Sequence, residues 1–274
     1  MEVVLAKHYG FCFGVKRAID IAENSKDAST IGPLIHNNEE ISRLKRDFNV
    51  ETLHDIEEID DVKKAIIRTH GITKENLKFL KDKDVNIVDA TCPFVRKPQQ
   101  ICEKMSDEGY DIVIFGDRDH PEVKGVKSYA KKNVYVVLRV DEIKDEFLSN
   151  KVAVVSQTTR KIDEFMQIVN FLVKNHKEVR VFNTICNATF DNQDAARELA
   201  KKSDIMIVIG GKNSSNTKQL HNISKEFCSD SYLIESENEL KKEWFKNKSR
   251  CGVTAGASTP DWIIEKIIGK IKKI

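Results

Sequence analysis

Short apolar runs alternate with amphipathic stretches along nearly the whole chain. Twelve runs are rich in β-branched and aliphatic residues, and in most of the segments between them apolar residues recur every three to four positions. This alternation is typical of parallel strands joined by helical crossovers. The predicted strands lie at 2–6, 28–31, 48–50, 64–69, 85–88, 111–115, 133–138, 152–156, 178–182, 204–209, 231–234 and 250–254.

Helical periodicity places the predicted helices between these strands. For the last of them, Ser258 or Thr259 supplies the capping residue and Pro260 the first helical position. The chain is therefore predicted to have an α/β fold with parallel-rich sheets. The predicted helices lie at 14–24, 37–46, 73–81, 97–107, 122–131, 160–174, 191–201, 215–227, 236–245 and 259–272.

Three of the six cysteines occupy the same kind of position, shortly after a predicted strand and before a predicted helix. Cys12 and Cys92 are 80 residues apart, and Cys92 and Cys186 are 94 apart. If the count continues from Cys186 to the C-terminus and then from the N-terminus to Cys12, the third spacing is 100 residues. The chain is thus close to a circular threefold repeat. We predict three small domains of similar topology in a pseudo-threefold arrangement: 13–92, 93–186, and 187–274 joined by residues 1–12.

Composition excludes several classes of protein. Lysine and arginine total 45 against 43 acidic residues, and a net charge of +2 gives no electrostatic reason to expect a nucleic-acid partner. The apolar runs are far shorter than the ~20 residues of a membrane helix, and no signal-peptide pattern opens the chain, so we expect a cytoplasmic protein. Because that compartment is reducing, we expect the cysteines to bind metal, take part in catalysis or be simply buried, rather than form disulfides.

Polar side chains gather where the predicted strands end. Ligands collect at the carboxyl ends of parallel strands, and hydroxyls, amides, histidines and helix N-termini together suit an anionic phosphate. Taken singly, the same residues have simpler interpretations, because residues 120–122 could be a turn and 214–216 an N-cap. The candidates are His36, His70, His120, Glu122, Thr158, Thr159, Ser214, Ser215, Asn216 and Ser258.

The other three cysteines, Cys102, Cys228 and Cys251, are expected to be small buried apolar residues. The remaining three thiols, Cys12, Cys92 and Cys186, have no fourth cysteine in a matching position. This set favours an iron–sulfur cluster in which one iron lacks a protein ligand. An open iron is a Lewis acid, which together with the electrons of a cluster suits the reductive removal of a hydroxyl group. Zinc is the competing metal, although the chain lacks the close CxxC pair common in structural zinc sites.

Nine short motifs resemble those of the 4-hydroxy-3-methylbut-2-enyl diphosphate reductase family, the last enzymes of the non-mevalonate isoprenoid pathway. The resemblance runs over nearly the whole chain. The motifs are GFCFGV (10–15), HN (36–37), THG (69–71), DATCP (89–93), HPEV (120–123), QTT (157–159), TICNAT (184–189), KNSSN (212–216) and GVTAGAS (252–258).

The resemblance implies a three-lobed monomer around a central 4Fe–4S cluster held by Cys12, Cys92 and Cys186. It implies reductive dehydroxylation of 4-hydroxy-3-methylbut-2-enyl diphosphate to isopentenyl and dimethylallyl diphosphate, with electrons from a donor such as ferredoxin or flavodoxin. Glu122 would be the proton source and Thr158 would position the substrate hydroxyl, with Thr159 adjacent. The diphosphate would be held by His36, His70, Ser214, Asn216 and Ser258, with His120 and Ser215 lining the same pocket.

Two alternatives remain open at this point. A three-cysteine cluster enzyme of the quinolinate synthase type would use its open iron for dehydration and condensation, but the motifs at 120–122 and 212–216 argue against it. From another class, the chain could be a non-catalytic phosphate sensor that binds zinc or a cluster.

Overall fold

The computed structural model describes residues 1–83, 85–131, 133–143 and 148–274. Twelve strands within these ranges form three sheets of four strands each, and every strand pairing is parallel. The strands are β1 (Glu2–Leu5), β2 (Ser29–Ile31), β3 (Glu51–Leu53), β4 (Lys64–Ile67), β5 (Asn86–Asp89), β6 (Asp111–Phe115), β7 (Val134–Val137), β8 (Lys151–Ser156), β9 (Glu178–Val181), β10 (Ile205–Ile209), β11 (Ser231–Ile234) and β12 (Arg250–Ala255).

Helices follow most of the strands, as the periodicity predicts. The α-helices are α1 (Phe13–Asn24), α2 (Asn38–Phe48), α3 (Lys74–Asp82), α4 (Pro93–Asp107), α5 (Pro121–Ser128), α6 (Ile162–Asn175), α7 (Asn187–Ala200), α8 (Ser215–Phe227) and α9 (Asp261–Ile271). Short 3₁₀ helices cover Ile56–Asp61, Val140–Glu142, Glu237–Glu239 and Lys242–Phe245. The predicted α/β class and its parallel sheets are confirmed.

The chain divides into two compact units. The first contains Met1–Lys16, Ile35–Asp47 and Asn187–Ile274. Its sheet has the strand order β1-β12-β10-β11, so that the first strand of the chain pairs along its length with the last. The buried strand β10 reads as a continuous apolar run because both faces of a parallel sheet are covered. One face packs on α9 through Ile263, Ile264, Ile267 and Ile271.

The second unit contains Arg17–Leu34 and Phe48–Cys186 and holds the other two sheets. Their strand orders are β3-β2-β4-β5 and β7-β6-β8-β9. In each, the central strands are the most completely buried, and the helices α4 and α5 pack against each other next to strand β6. The carboxyl ends of β4, β6 and β8 lead directly into segments that carry candidate residues. The predicted domain boundaries and the threefold arrangement stay predictions.

Three predicted details of secondary structure are wrong. The segment 236–245 forms two separate 3₁₀ helices instead of one α-helix. Strand β3 lies at Glu51–Leu53 rather than 48–50, because α2 continues to Phe48 and Asn49 follows in the left-handed region at φ 55°. Pro260 is the N-cap of α9 rather than its first helical residue. No helix in the described part of the chain is long and apolar enough to cross a membrane.

Candidate active site

Glu122 is a buried carboxyl at the start of α5 in the second unit. Only 1% of the residue is exposed, and its carboxylate accepts two hydrogen bonds from one residue. The backbone N–H of Thr158 donates at 2.7 Å, and the Thr158 hydroxyl donates at 2.8 Å. Thr158 follows the carboxyl end of β8, so the bonds join two segments 36 residues apart in sequence. The carboxyl group is therefore held in one orientation.

Burial raises the pKa of Glu122 to about 7. The two hydrogen bonds from Thr158 act in the opposite direction and lower the pKa, but burial is the larger effect. A carboxyl with a pKa near the working pH can both give and take a proton, as general acid–base catalysis requires. The electrostatics of Glu122 therefore suit a proton donor.

His120 caps the helix that carries Glu122. Its Nδ1 accepts a hydrogen bond from the Glu122 N–H at 3.2 Å, which in a neutral ring leaves the proton on Nε2. The ring of His120 meets the ring of His70 edge to face, with centroids 5.3 Å apart. His70 follows the end of β4, so the ends of two different sheets meet at this pair of histidines.

The segment before Cys186 is fastened to the segment that carries Thr158. The Thr184 hydroxyl donates to the Ser156 carbonyl and accepts from the Ser156 N–H, at 2.5 and 2.8 Å. Two residues further along, the Cys186 N–H donates to the Thr158 carbonyl at 2.9 Å. Cys186 is partly exposed and directly precedes α7. The position of this thiol is thereby linked to the residue that orients Glu122.

Cys92 occupies an equivalent place on the other sheet of the second unit. It is the N-cap residue of α4, without a side-chain capping bond, and Pro93 takes the first helical position. Its N–H donates to the Thr69 carbonyl at 3.0 Å, and the buried Thr69 hydroxyl donates to the Leu34 carbonyl at 3.0 Å. The thiol therefore lies at the N-terminus of α4.

Cys12 lies in the first unit, directly before α1. Its carbonyl accepts from the Lys16 N–H at 2.9 Å, which makes Cys12 the residue that begins the helix. Its N–H donates to the Ala257 carbonyl at 3.3 Å, beside Ser258. Each of the three cysteines singled out by the repeat thus stands immediately before a helix.

None of the other three cysteines stands directly before a helix. Cys102 and Cys251 are fully buried, and burial raises the pKa of each thiol to about 12. Cys228 also has a pKa raised by burial. Such thiols stay protonated at neutral pH and cannot readily serve as metal ligands, which require the thiolate. The prediction that these three are buried apolar residues is confirmed.

His36 is positioned by a close backbone approach within the first unit. A Cβ atom at Gly211 would lie 2.3 Å from the His36 carbonyl oxygen, so only glycine allows the two segments to meet. The next residue, Asn37, caps α2 by accepting from the Glu40 N–H at 3.0 Å. Gly211 follows β10 and opens the loop that leads to Ser214. His36 and the 212–216 motif are therefore parts of one local arrangement.

A buried charge network holds the same segment against α9. Glu40 is 1% exposed and accepts from the Arg43 guanidinium at 2.6 to 3.0 Å. The indole N–H of Trp262 donates to the same carboxylate at 3.1 Å, across 222 residues of sequence. A buried carboxylate is tolerable when it is paired and hydrogen-bonded in this way.

The loop after β10 ends in a serine cap and a buried amide. Ser214 caps α8 by accepting from the Thr217 N–H at 3.3 Å, and Ser215 is half-buried at the first helical position. Asn216 is 4% exposed, yet neither its amide nitrogen nor its carbonyl oxygen has a hydrogen-bond partner among the described residues. A buried amide without partners costs about 1–3 kcal/mol, which a polar ligand at this position would offset.

Ser258 lies in the turn that follows β12, next to the loop after β10. The Gly256 N–H donates to the Ile209 carbonyl at 2.8 Å, and the Thr259 hydroxyl donates to the same carbonyl at 3.1 Å. These bonds join the carboxyl ends of two neighbouring strands of the first unit. Ser258 itself is half-buried.

The candidate residues thus fall into two groups, one in each unit. In the second unit, bonds or ring contacts join Glu122 to Thr158, Glu122 to His120, His120 to His70, and Cys186 to Thr158. Thr159, also in that unit, accepts a long bond of 3.4 Å from the Gln157 amide. The first unit contains Cys12, His36, Ser214, Ser215, Asn216 and Ser258.

Sequence reasoning assigned no role to three supporting residues. Thr184 and Gln157 lie inside recognised motifs, but they act by hydrogen bonds to distant backbone: the Asp117 N–H donates to the Gln157 side-chain oxygen at 3.0 Å across 40 residues. Gly211 acts by having no side chain. Only its position beside the 212–216 motif could have drawn attention to it.

Comparison with known proteins gives the family. Residues 3–272 match the LytB protein family. The chain belongs to the LytB family. Its LytB relatives include the 4-hydroxy-3-methylbut-2-enyl diphosphate reductases of Campylobacter concisus (strain 13826), 69% identical, and Campylobacter curvus (strain 525.92), 68% identical, each aligned over all of both chains. The family predicted from the nine motifs is confirmed.

Two solved structures of the LytB type resemble this chain. One is (E)-4-hydroxy-3-methyl-but-2-enyl diphosphate reductase, the terminal enzyme of the non-mevalonate pathway, which is 41% identical with a TM-score of 0.73 over all of both chains. The other is the E-1-hydroxy-2-methyl-but-2-enyl-4-diphosphate reductase of Plasmodium falciparum. It is 28% identical, with a TM-score of 0.90 over 98% of this chain and 87% of that one.

Proposed function

We propose that this LytB family member is an enzyme that reductively removes the hydroxyl group of 4-hydroxy-3-methylbut-2-enyl diphosphate, giving isopentenyl and dimethylallyl diphosphate. Membership of a family whose relatives carry that reductase name supports the reaction. The observation that carries the proposal is the buried Glu122 carboxyl, held by Thr158 and with a pKa of about 7. Removing a hydroxyl group as water requires a proton donor of this kind.

Cys12, Cys92 and Cys186 are proposed to hold a 4Fe–4S cluster with one iron free of protein ligands. The donor set fits this group, because each of the three thiols stands directly before a helix, whereas burial keeps the other three protonated. When bound, such a cluster would supply electrons one at a time and a Lewis-acidic iron. No disulfide engages any of the cysteines in the described chain.

The diphosphate is proposed to bind at His36, His70, Ser214, Asn216 and Ser258, with His120 and Ser215 beside them. The unsatisfied buried amide of Asn216 supports this assignment, because its N–H groups can donate to phosphate oxygens. Ser214 and Ser215 stand at the N-terminus of α8, where backbone N–H groups and the helix dipole favour an anion. The histidine rings add further N–H donors.

Glu122 is proposed to protonate the substrate hydroxyl as its carbon–oxygen bond breaks. Overall, one substrate molecule takes up two electrons and two protons and releases one water. Thr158 orients the Glu122 carboxyl through its N–H and hydroxyl donors, and Thr159 lies beside it. The allylic fragment left by water can take its second proton at either end, which accounts for two isomeric products.

Three further properties remain predictions from the sequence. They are a cytoplasmic location, a monomeric state, and an electron donor such as ferredoxin or flavodoxin.

The proposed reaction is tested by anaerobic assay of the purified protein with reduced viologen dye. We expect a brown protein that contains iron and sulfide and oxidises the dye only when 4-hydroxy-3-methylbut-2-enyl diphosphate is added. A colourless zinc protein, or a cluster protein that binds the substrate without oxidising the dye, would instead support the sensor alternative. Condensation chemistry without dye oxidation would support the quinolinate synthase alternative.

A further inference from the structure

A polar cavity lies at strand ends of the second unit, and its lining includes none of the residues assigned above. It has a volume of about 370 Å³ and is lined by the ends of β2 and β4, the N-terminus of α3 and residues just before α5. We call it the Arg68 pocket, after the arginine that lines it. Its other polar lining residues are His54, Asp55, Thr73, Asn76, Asp119 and Lys124.

Arg68 is a half-buried cation without a counter-charge. No hydrogen bond or ion pair joins its side chain to any other described residue, and its Nε atom is buried. Burial lowers the pKa of the guanidinium, but arginine remains charged at neutral pH. Removing a charge from water without a partner is unfavourable by several kcal/mol, so a structure seldom retains one without a reason.

The backbone leaves room for the guanidinium. Gly32, at the end of β2, has φ +70°, and a Cβ atom there would lie 2.7 Å from Arg68 Nη1. Glycine at this position therefore allows both the turn and the close packing of the guanidinium over the backbone. The Arg68 side chain is held at the wall of the cavity by the end of the neighbouring strand.

The acidic residues of the pocket are already engaged. Asp55 accepts from the Glu57 N–H at 3.1 Å and caps the 3₁₀ helix that follows it. Asp119 lies 3.9 Å from the ammonium group of Lys124, and its side chain is 93% exposed. Neither carboxylate forms an ion pair with Arg68, whose guanidinium has no partner among the described residues.

The donors around the cavity suit an oxyanion. The planar guanidinium presents parallel N–H groups that match two oxygens of a phosphate. Thr73 caps α3, which places the positive end of that helix dipole at the same cavity. His54 adds an imidazole ring whose N–H can donate to an anion.

We propose that the Arg68 pocket binds a small phosphate-bearing anion through the Arg68 guanidinium and the N-terminus of α3. None of its lining residues belongs to the proposed substrate-binding set, and the proposal does not depend on the reductase activity.

Calorimetric titration of the anaerobically purified holoenzyme with inorganic diphosphate tests the proposal. We expect wild-type protein to bind two diphosphates per chain, one in the Arg68 pocket and one at the substrate residues. Arg68→Gln should lower the affinity of the first site by about tenfold or more, because charge-assisted hydrogen bonds are lost. The matched control is Lys81→Gln, which removes one exposed positive charge at the other end of α3 and should change neither site.

Asn216→Ala separates this proposal from the assignment of the substrate site. If Arg68→Gln removes one binding event and Asn216→Ala removes none, the pocket is supported and the substrate assignment fails. If Arg68→Gln retains every binding event of the wild type, the pocket proposal is overturned, whatever Asn216→Ala does.

A melting experiment keeps the test informative if Arg68 also affects folding. In anion-free buffer, Arg68→Gln should melt at or above the wild-type temperature, because an unpaired charge has been removed. Diphosphate should raise the melting temperature of wild type and Lys81→Gln by more than that of Arg68→Gln. A lower melting temperature for Arg68→Gln in anion-free buffer, with diphosphate binding unchanged, would make Arg68 a packing residue and overturn the proposal.

Discussion

At the scale of a single residue, two opposed effects set the pKa of the Glu122 carboxyl. Burial raises its pKa, and two hydrogen bonds from Thr158 lower it, with a result of about 7. Neither effect can be read from a local sequence pattern, because Thr158 lies 36 residues further along the chain. The motifs identified both residues, and the structure supplies the reason for their pairing.

Replacing Glu122 by glutamine should abolish most turnover while leaving the metal content unchanged. Glutamine preserves the shape of the side chain but cannot supply the proton, and loss of a general acid typically lowers turnover by about 10²- to 10⁴-fold. Turnover is measured as viologen oxidation, beside iron and sulfide analysis of the same sample. Glu75→Gln, which changes an exposed carboxylate on α3, is the control and should retain full activity. Full activity in Glu122→Gln would remove this residue from the mechanism.

The pH dependence of the reaction should report the same carboxyl. A proton donor must be protonated, so kcat/KM should fall as the pH rises through about 7, the pKa of Glu122. Thr158→Val removes the hydroxyl hydrogen bond that favours the charged form of Glu122. The pH at which kcat/KM falls should therefore rise by about one unit. Thr158→Ser keeps the hydroxyl and should leave the pH at which kcat/KM falls unchanged. If kcat/KM falls at the same pH in Thr158→Val as in the wild type, the titrating group is not Glu122.

At the scale of elements, hydrophobic periodicity predicted the strands and most helices well, and its errors have physical causes. It placed a helix at 236–245 because apolar residues face the core there, and Leu240, Trp244 and Phe245 do pack against it. Periodicity does not distinguish one α-helix from two 3₁₀ helices separated by extended Lys241. It also gave no account of Gly211, whose role depends on a backbone brought close by the tertiary fold.

Gly211→Ala should weaken substrate binding more than catalysis. The new methyl group would meet the His36 carbonyl at 2.3 Å and push apart two segments proposed to hold the diphosphate. We expect KM to rise by about tenfold or more with a smaller change in kcat, since binding common to the ground and transition states is lost. Steady-state kinetics measures this difference.

Gly269→Ala is the matched control for that variant. Gly269 lies near the end of α9, and a Cβ atom there would have nothing within 4 Å. Alanine should leave KM unchanged and stabilise the protein by up to about 1 kcal/mol, because alanine favours the helix. Equal KM values for the two alanine variants would contradict the positional role given to Gly211.

At the scale of the whole molecule, the placement of the cysteines was predictable from the sequence because it follows the repeat of βα units. Cys12, Cys92 and Cys186 each precede a helix, while Cys102 and Cys251 lie buried within a helix and a strand and Cys228 lies buried just past the end of a helix. The sequence could not supply the raised pKa values of Cys102, Cys228 and Cys251, which arise from tertiary burial. The proposed cluster depends on this division of six thiols into two groups of three.

Iron and sulfide analysis of single cysteine variants, purified without oxygen, tests this division most directly. Cys12→Ser, Cys92→Ser and Cys186→Ser should each lose the cluster, because serine does not replace a thiolate as a ligand of iron. Cys102→Ala, Cys228→Ala and Cys251→Ala should each retain the iron and sulfide content of the wild type. A normal iron and sulfide count in all three serine variants would contradict the assignment.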